Sequence, residues 1–391
     1  MLELLSMESI NGGNRKIELL VNLLPIPIET VAGWKNIPVQ ECGEKLVPVG
    51  AFSTFSDCDT SAVYFGERGE GETMNFLGQP VDRRVSLITH FVREGILKRI
   101  QTAQESLPEG YYFRFFDNYR PLEVQQKLFD VQKDKFRVMH PEWDEARLDA
   151  ETQKYVSFPS PNKERGTTHP SPHNTGAVVD LTIIKLDDEG QRLLKELNRK
   201  KTAGELNYPV DESEKRQQGI IEKWVDKEAK KNGWTKEQTN NMKNGWLTDY
   251  RYAREKAKIF KEKSTKLDMG TEFDYFGPEA GARYYEELEK TRELTPEEKE
   301  RQKNRRFFYK IMKNAGFSNY PEEWWHWSFG DNMDAQNTGK RFAIYGGIEL
   351  SQDDRDFDKS RQRQYRRQAV RHKKRRNSLF LDSTEGDPQK L

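Results

Sequence analysis

A histidine and an aspartate lie close together in the segment Ser171-Pro-His-Asn-Thr-Gly-Ala-Val-Val-Asp180. We expect a strand to begin near Ala177, which would carry Asp180 into a sheet while the preceding loop folds His173 back toward it. Imidazole and carboxylate groups are both good zinc ligands. These residues alone leave two interpretations open, which are a metal site and a hydrogen-bonded His–Asp pair.

A second candidate is the aromatic segment Tyr320–Trp327, in which Glu323 and His326 stand among three tryptophans. His326 could supply a third metal ligand. Glu323 is a candidate general base, because burial among aromatic rings raises the pKa of a carboxyl group. If the segment is a strand, Trp324 and Trp325 alternate, so that one packs in the core and the other lines a pocket. The alternative is a packed strand with Glu323 exposed and His326 hydrogen-bonded.

Arg120 is the third candidate, in the turn Asp117-Asn-Tyr-Arg-Pro121. An arginine where a strand ends can point into a cleft and stabilise developing negative charge. It can equally brace the turn through Asp117. The sequence assigns no function to His90, His140, His169 or His372.

The surrounding pattern predicts the helices and strands that must position these residues. Tyr111–Asp117 is typical of a strand, and Pro121 of the first turn of a helix. Residues 295–314 predict a helix that begins at the N-cap Thr295 and ends before Gly316. Apolar residues at spacings of three and four predict a further amphipathic helix; they are Val85, Ile88, Val92, Ile96 and Ile100.

Residues 187–267 differ in composition, because Lys, Glu, Gln and Asn dominate and apolar residues are sparse. They predict either an inserted set of exposed helices or a partly disordered linker. The tail is basic over residues 359–376, which could contact a phosphate-rich partner or be solvated. We do not expect a nucleic-acid partner.

Composition excludes several classes of protein. The 65 basic and 64 acidic residues nearly cancel, so net charge gives no reason to expect a polyanionic partner. Two cysteines, Cys42 and Cys58, exclude a disulfide scaffold and a four-cysteine zinc site. We find no apolar stretch of about 18 residues and no basic segment before an apolar run at the start. We therefore expect no membrane span, no signal peptide and a cytoplasmic protein.

Six segments together resemble the D-alanyl-D-alanine dipeptidase family, the zinc dipeptidases associated with vancomycin resistance. They are Asn75-Phe-Leu-Gly-Gln-Pro-Val-Asp82, Asp117-Asn-Tyr-Arg-Pro121, Ser171–Asp180, Met269-Gly-Thr-Glu-Phe-Asp274, Asn304–Phe317 and Glu323-Trp-Trp-His326. Val178 stands where the family usually has alanine. The resemblance covers about residues 75–184 and 268–330, in the family's order.

The resemblance implies a role for each matching residue. His173, Asp180 and His326 would bind one zinc ion per chain, with the fourth position open for water. Glu323 would be the base, and Arg120 would stabilise the tetrahedral oxyanion. Ser171 and Asp274 would hold the free amino end of the substrate. The long segment between Asp180 and Asp274 could roof the cleft and change what fits.

Three functions remain as hypotheses. The first is a zinc metallopeptidase that hydrolyses D-alanyl-D-alanine or a similar short peptide. The second is a D,D- or L,D-carboxypeptidase acting on peptidoglycan stem peptides of the cell wall. The third is a non-enzymatic binding protein that uses the insertion and the basic tail. The sequence does not indicate an oligomeric state.

We expect an α+β fold, with a central, mostly antiparallel sheet carrying the zinc site, flanking helices and a large helical insertion. The predicted divisions are 1–74, an N-terminal extension on the core; 75–186 and 268–350, the two parts of the catalytic core; 187–267, the insertion; and 351–391, a basic, flexible tail.

Overall fold

The structure is a computed structural model that describes residues 23–49, 86–159, 170–210, 214–359 and 362–363. Cys58, the segment Asn75–Asp82 and most of the basic tail lie outside the described residues. Cys42 is exposed and not in a disulfide.

An antiparallel sheet of five strands forms the centre of the α+β fold. Its strands are β3 (Tyr111–Asp117), β4 (Val178–Leu186), β5 (Ser264–Lys266), β6 (Ser318–Asn319) and β7 (His326–Ser328). The order is β3-β4-β7-β6, and β5 also pairs with β4. The predicted fold class is confirmed. A separate two-stranded ribbon pairs β1 (Leu46–Pro48) with β2 (Phe91–Arg93).

Besides β3, two strands pair with β4, and they do so at opposite ends of it. Strand β7 pairs with residues 178–180, while β5 pairs with residues 184–186. Residues 180 and 184 are four positions apart, which is about 13 Å along a strand. The sheet therefore separates the end that carries Asp180 from the end where the chain returns after residues 187–263.

Helices cover the face of the sheet opposite Asp180. The chief ones are α1 (Glu94–Ser106) and α8 (Pro296–Asn314), whose apolar residues share one core with alternate residues of β4. Helix α8 begins as predicted, because Thr295 and Glu298 form a reciprocal capping box. The remaining helices of the core are α2 (Leu122–Met139), α3 (Glu145–Thr152), α7 (Tyr284–Glu289) and α9 (Asn332–Asn337), and residues 352–359 are also helical.

The prediction of one helix from Val85 to Ile100 is wrong over Ile88 and Val92, while Val85 lies outside the described residues. Helix α1 begins at Glu94, and Val92 lies in β2 instead. Pairing with β1 places Val92 opposite Val47. The apolar spacing of three and four thus bridges a strand and a helix that bury their apolar residues in the same core.

The charged segment folds as helices, as the first of its two interpretations predicted. They are α4 (Asp188–Thr202), α5 (Lys215–Asn232) and α6 (Lys236–Lys263). Leu194, Leu197 and Phe260 pack on Ile184 and Leu186 at the far end of β4. Residues 187–263, which contain these three helices, form a helical lobe. It contains a fully buried ion pair, in which Arg251 donates to Glu214 at 2.6 Å.

Candidate active site

Strand pairing brings two of the proposed metal ligands together. Asp180 on β4 lies directly opposite His326 on β7 in the antiparallel register. Opposed residues of such a pair project from the same face of the sheet. His326 Nδ1 consequently lies 3.2 Å from Asp180 Oδ1.

His173 reaches the same point from the short 3₁₀ turn Pro172–Thr175 before β4. Its Nε2 atom lies 3.3 Å from Asp180 Oδ2. The other ring nitrogen, Nδ1, donates to the carbonyl oxygen of Asn118 at 2.7 Å. This hydrogen bond fixes the tautomer, so Nε2 presents its lone pair to the site. Gly176, at φ 71°, ends the turn in the left-handed region.

The three side chains have the geometry of a metal site. One ligand atom from each lies within 4.8 Å of the others, and all three residues are buried. Two atoms bound to one tetrahedral zinc at 2.0–2.2 Å lie about 3.4 Å apart, which matches the separations of 3.2 and 3.3 Å. Asp180 Oδ1 is buried and accepts no hydrogen bond from the described residues. A cation would satisfy it, so these residues fit a metal ion.

The protonation states also suit a metal. Burial lowers the pKa of both His173 and His326, and Arg120 adds to this effect at His173. Both imidazoles are therefore neutral near pH 7, which is the form that binds metals. Burial, followed by the neighbouring Asp117, raises the pKa of Asp180 well above its ordinary range. A bound cation would offset this cost by stabilising the carboxylate.

Glu323 lies beside this cluster on a turn rather than a strand. The predicted strand over Tyr320–Trp327 is wrong before His326, because residues 321–325 turn back on themselves. Asn319 stabilises the turn by donating to the carbonyl oxygens of Glu323 and His326. Trp324 and Trp325 are both buried, although Trp325 also lines the cleft.

The Glu323 carboxylate is about one-third exposed and lies 3.5 Å from His326 Nδ1. Burial, with Asp180 and Asp274 nearby, raises the pKa of Glu323 to about 8. A carboxyl group of this kind can hold a proton near neutral pH and exchange it with a reacting group.

Arg120 both braces its turn and lines the cleft, so its two interpretations are compatible. Its guanidinium donates to Asp117 at 3.0 and 2.8 Å and to Gln125 at 2.8 Å. Its backbone amide donates to the carbonyl oxygen of His173 at 3.1 Å. The Arg120 turn and the His173 turn are therefore held against one another.

Ser171 and Asp274 line the same cleft as the metal cluster. Asp274 has φ 59° and is the only non-glycine residue with a positive φ in the described part of the chain. Strained backbone of this kind concentrates at functional sites. The structure thus brings together all seven residues singled out from the sequence; they are Arg120, Ser171, His173, Asp180, Asp274, Glu323 and His326.

From the sequence, Asp117 was expected only as the partner through which Arg120 braces its turn, and Asn118 had no assigned role. Asn118 accepts the hydrogen bond of His173, and Asp117 Oδ2 lies 3.3 Å from His173 Nδ1 while pairing with Arg120. Asp117 stands at the end of a strand, in the motif that contains Arg120. This position is the sequence signal that could have identified it as a site residue.

The described part of the insertion does not roof the cleft, contrary to one expectation. None of its described residues is among those that line the cavity, which has a volume of about 570 Å³. Besides the segments that carry Arg120, His173 and Asp180, the walls come from residues 34–35, 153–157, 274–281, 320–326 and 333. The helical lobe is attached at the end of β4 remote from Asp180.

No helix in the described part of the chain is both long and apolar enough to cross a membrane.

Comparisons with known proteins agree with the site. Residues 220–343 match the model of a family described as D-ala-D-ala dipeptidase. This match includes Asp274, Glu323 and His326, while Arg120, His173 and Asp180 precede it. The chain is also similar to a D-alanyl-D-alanine dipeptidase of Synechocystis sp., with 25% identity over 331 residues, which are 80% of this chain and 95% of the relative. The chain therefore resembles the D-alanyl-D-alanine dipeptidase family, as its six motifs predicted.

Proposed function

We propose that this protein is a zinc-dependent dipeptidase that hydrolyses D-alanyl-D-alanine or a similar short peptide with a free amino end. The observation that carries the proposal is the convergence of His173, Asp180 and His326 in one cleft with Glu323. Those three residues would hold one zinc ion, which supplies Lewis acidity and lowers the pKa of water.

The other side chains have separate roles in hydrolysis and substrate binding. In its ionised form, Glu323 would take a proton from the attacking water and then deliver it to the amine that leaves. Arg120, already oriented by Asp117 and Gln125, stabilises the negative charge that develops on the carbonyl oxygen. Asp274 and Ser171 bind the substrate ammonium, because a buried ammonium needs a paired charge and hydrogen bonds.

The decisive experiment measures amine release from D-alanyl-D-alanine by zinc-loaded protein. We expect Glu323→Gln to lower kcat by at least about 100-fold, because it removes the base while keeping the side-chain shape. The adjacent Glu322 also lines the cleft, but it is exposed and accepts a hydrogen bond from the Tyr320 hydroxyl. Glu322→Gln is therefore the matched control and should lose far less activity. N-acetylated substrate should resist hydrolysis, because it cannot pair with Asp274.

Zinc content provides a readout independent of activity. Wild-type protein should retain about one zinc per chain after dialysis, and His173→Ala should retain much less. His140→Ala is the matched control, because His140 stacks on Trp143 away from the cleft. If zinc binds equally to wild type and His173→Ala, the proposed metal centre is wrong.

A further inference from the structure

The cleft is larger than a dipeptide of two alanines requires. Its volume of about 570 Å³ falls within the roughly 300–1,000 Å³ typical of pockets for drug-sized ligands. Alanyl-alanine is much smaller than such ligands. Space therefore remains beside the metal cluster for larger side chains.

The mouth of the cleft is lined by exposed aromatic rings. Tyr155, Tyr275 and Phe276 are 50%, 47% and 47% exposed, and all three line the cleft. The rings of Tyr155 and Phe276 lie 5.9 Å apart, although Tyr155 follows α3 and Phe276 follows the Asp274 turn. The two rings together join two walls of the cleft with an apolar, aromatic surface.

This surface is next to the proposed site for the substrate ammonium. Asp274 immediately precedes Tyr275 and Phe276, and its φ of 59° directs the chain through this turn. The ammonium and the side chain of an amino-terminal residue branch from the same α-carbon. A ligand whose ammonium pairs with Asp274 consequently presents its first side chain near these rings.

We infer that the enzyme prefers dipeptides whose amino-terminal residue has a large aromatic side chain, which packs against Tyr155 and Phe276. The inference rests on the proposed function. Aromatic rings bury a large apolar area and favour stacked or edge-to-face contact with one another. The carboxyl-terminal residue departs from this surface toward the metal cluster, so the preference belongs to the first residue.

The test compares kcat/KM of zinc-loaded protein for D-Phe-D-Ala, D-Ala-D-Phe and D-Ala-D-Ala. We expect D-Phe-D-Ala to exceed D-Ala-D-Ala by about tenfold or more, because apolar pocket contacts discriminate by this order. D-Ala-D-Phe should show no comparable gain. Phe276→Ala should reduce the ratio between D-Phe-D-Ala and D-Ala-D-Ala to within about threefold.

Phe342→Ala is the matched control, since Phe342 is 37% exposed and is not among the residues that line the cleft. This variant should keep the wild-type ratio. A ratio near one in wild type, or a ratio that Phe276→Ala leaves intact, overturns the inference while hydrolysis of D-Ala-D-Ala upholds the proposed function. If zinc-loaded protein cleaves none of the three dipeptides, both fail together.

Discussion

The Asp117 carboxylate links the two charged parts of the site. It pairs with Arg120 at 2.8 Å and lies 3.3 Å from Nδ1 of His173. Groups that orient a ligating histidine commonly contribute 10–100-fold to metal affinity. Asp117 is not among the proposed metal ligands, but it would orient both the imidazole of His173 and the guanidinium of Arg120.

We predict that Asp117→Asn weakens zinc binding by about 10–100-fold, because it removes the charge that orients His173 and Arg120. Competition with a chromophoric chelator measures the affinity. Asp134→Asn is the control, since Asp134 is exposed and pairs only with Arg137 among the described contacts. Equal zinc affinities for the two variants would contradict the assigned role of Asp117.

Asp331 supplies a pH-dependent prediction. Burial raises its pKa from 3.8 to about 6. The pKa of Asp331 is higher in the folded than in the unfolded protein. Its contribution to the free energy of unfolding is therefore complete below pH 3.8 and is lost as pH rises through 6. Asp331→Asn should consequently gain stability relative to wild type between pH 4 and 7, by at most about 3 kcal/mol. Urea unfolding of metal-free protein measures this, and a constant difference across the range would refute it.

Helix α8 acts as an anchor for the loop that carries Asp274. The buried Arg305 on this helix donates to the carbonyl oxygens of Met269, Glu279 and Gly281 at 2.8, 2.7 and 2.6 Å. Burial lowers the pKa of Arg305 to about 10, so the side chain remains charged at neutral pH. One guanidinium thereby fixes both ends of the turn around Asp274.

We predict that Arg305→Lys raises KM for D-alanyl-D-alanine by about tenfold with a smaller change in kcat, because lysine cannot satisfy three carbonyls in a fork. Zinc content should stay near wild type, since the three proposed metal ligands lie on other elements. Arg306→Lys is the control, because Arg306 pairs with Glu286 instead. A parallel loss of zinc in Arg305→Lys would show that the effect is general unfolding.

Sequence reasoning succeeded for elements with complete local signals. The N-cap Thr295 predicts the start of α8, and the aromatic run predicts β3 with the observed bounds. It failed where tertiary contacts decide the conformation. Val92 joins a strand only because β1 pairs with it, and the 321–325 turn depends on hydrogen bonds from Asn319. The grouping of the site residues required the resemblance, because spacing alone does not give strand register.

At the scale of the whole molecule, the helical lobe and the active site are attached to opposite ends of β4. The lobe leaves the sheet after Leu186 and returns at Ser264, and these two residues are register partners. The backbone amide of Asp187 donates to the carbonyl oxygen of Lys263 at 2.9 Å. The entry and exit of the lobe are thus as close as the ends of a β-hairpin.

This geometry predicts that the lobe is dispensable for chemistry. Replacing residues 187–263 with Asn-Gly should close a two-residue hairpin between β4 and β5. Zinc stoichiometry and kcat/KM for D-alanyl-D-alanine should stay within about tenfold of wild type, because no described residue of the lobe lines the cleft. The melting temperature should fall, since Ile184 and Leu186 lose the apolar side chains that pack on them.

Phe260→Ala in the full chain is the milder companion variant. It should destabilise the lobe by about 3–5 kcal/mol and leave activity unchanged. If that variant loses zinc or activity while remaining folded by circular dichroism, the lobe supports the site and the separation is wrong.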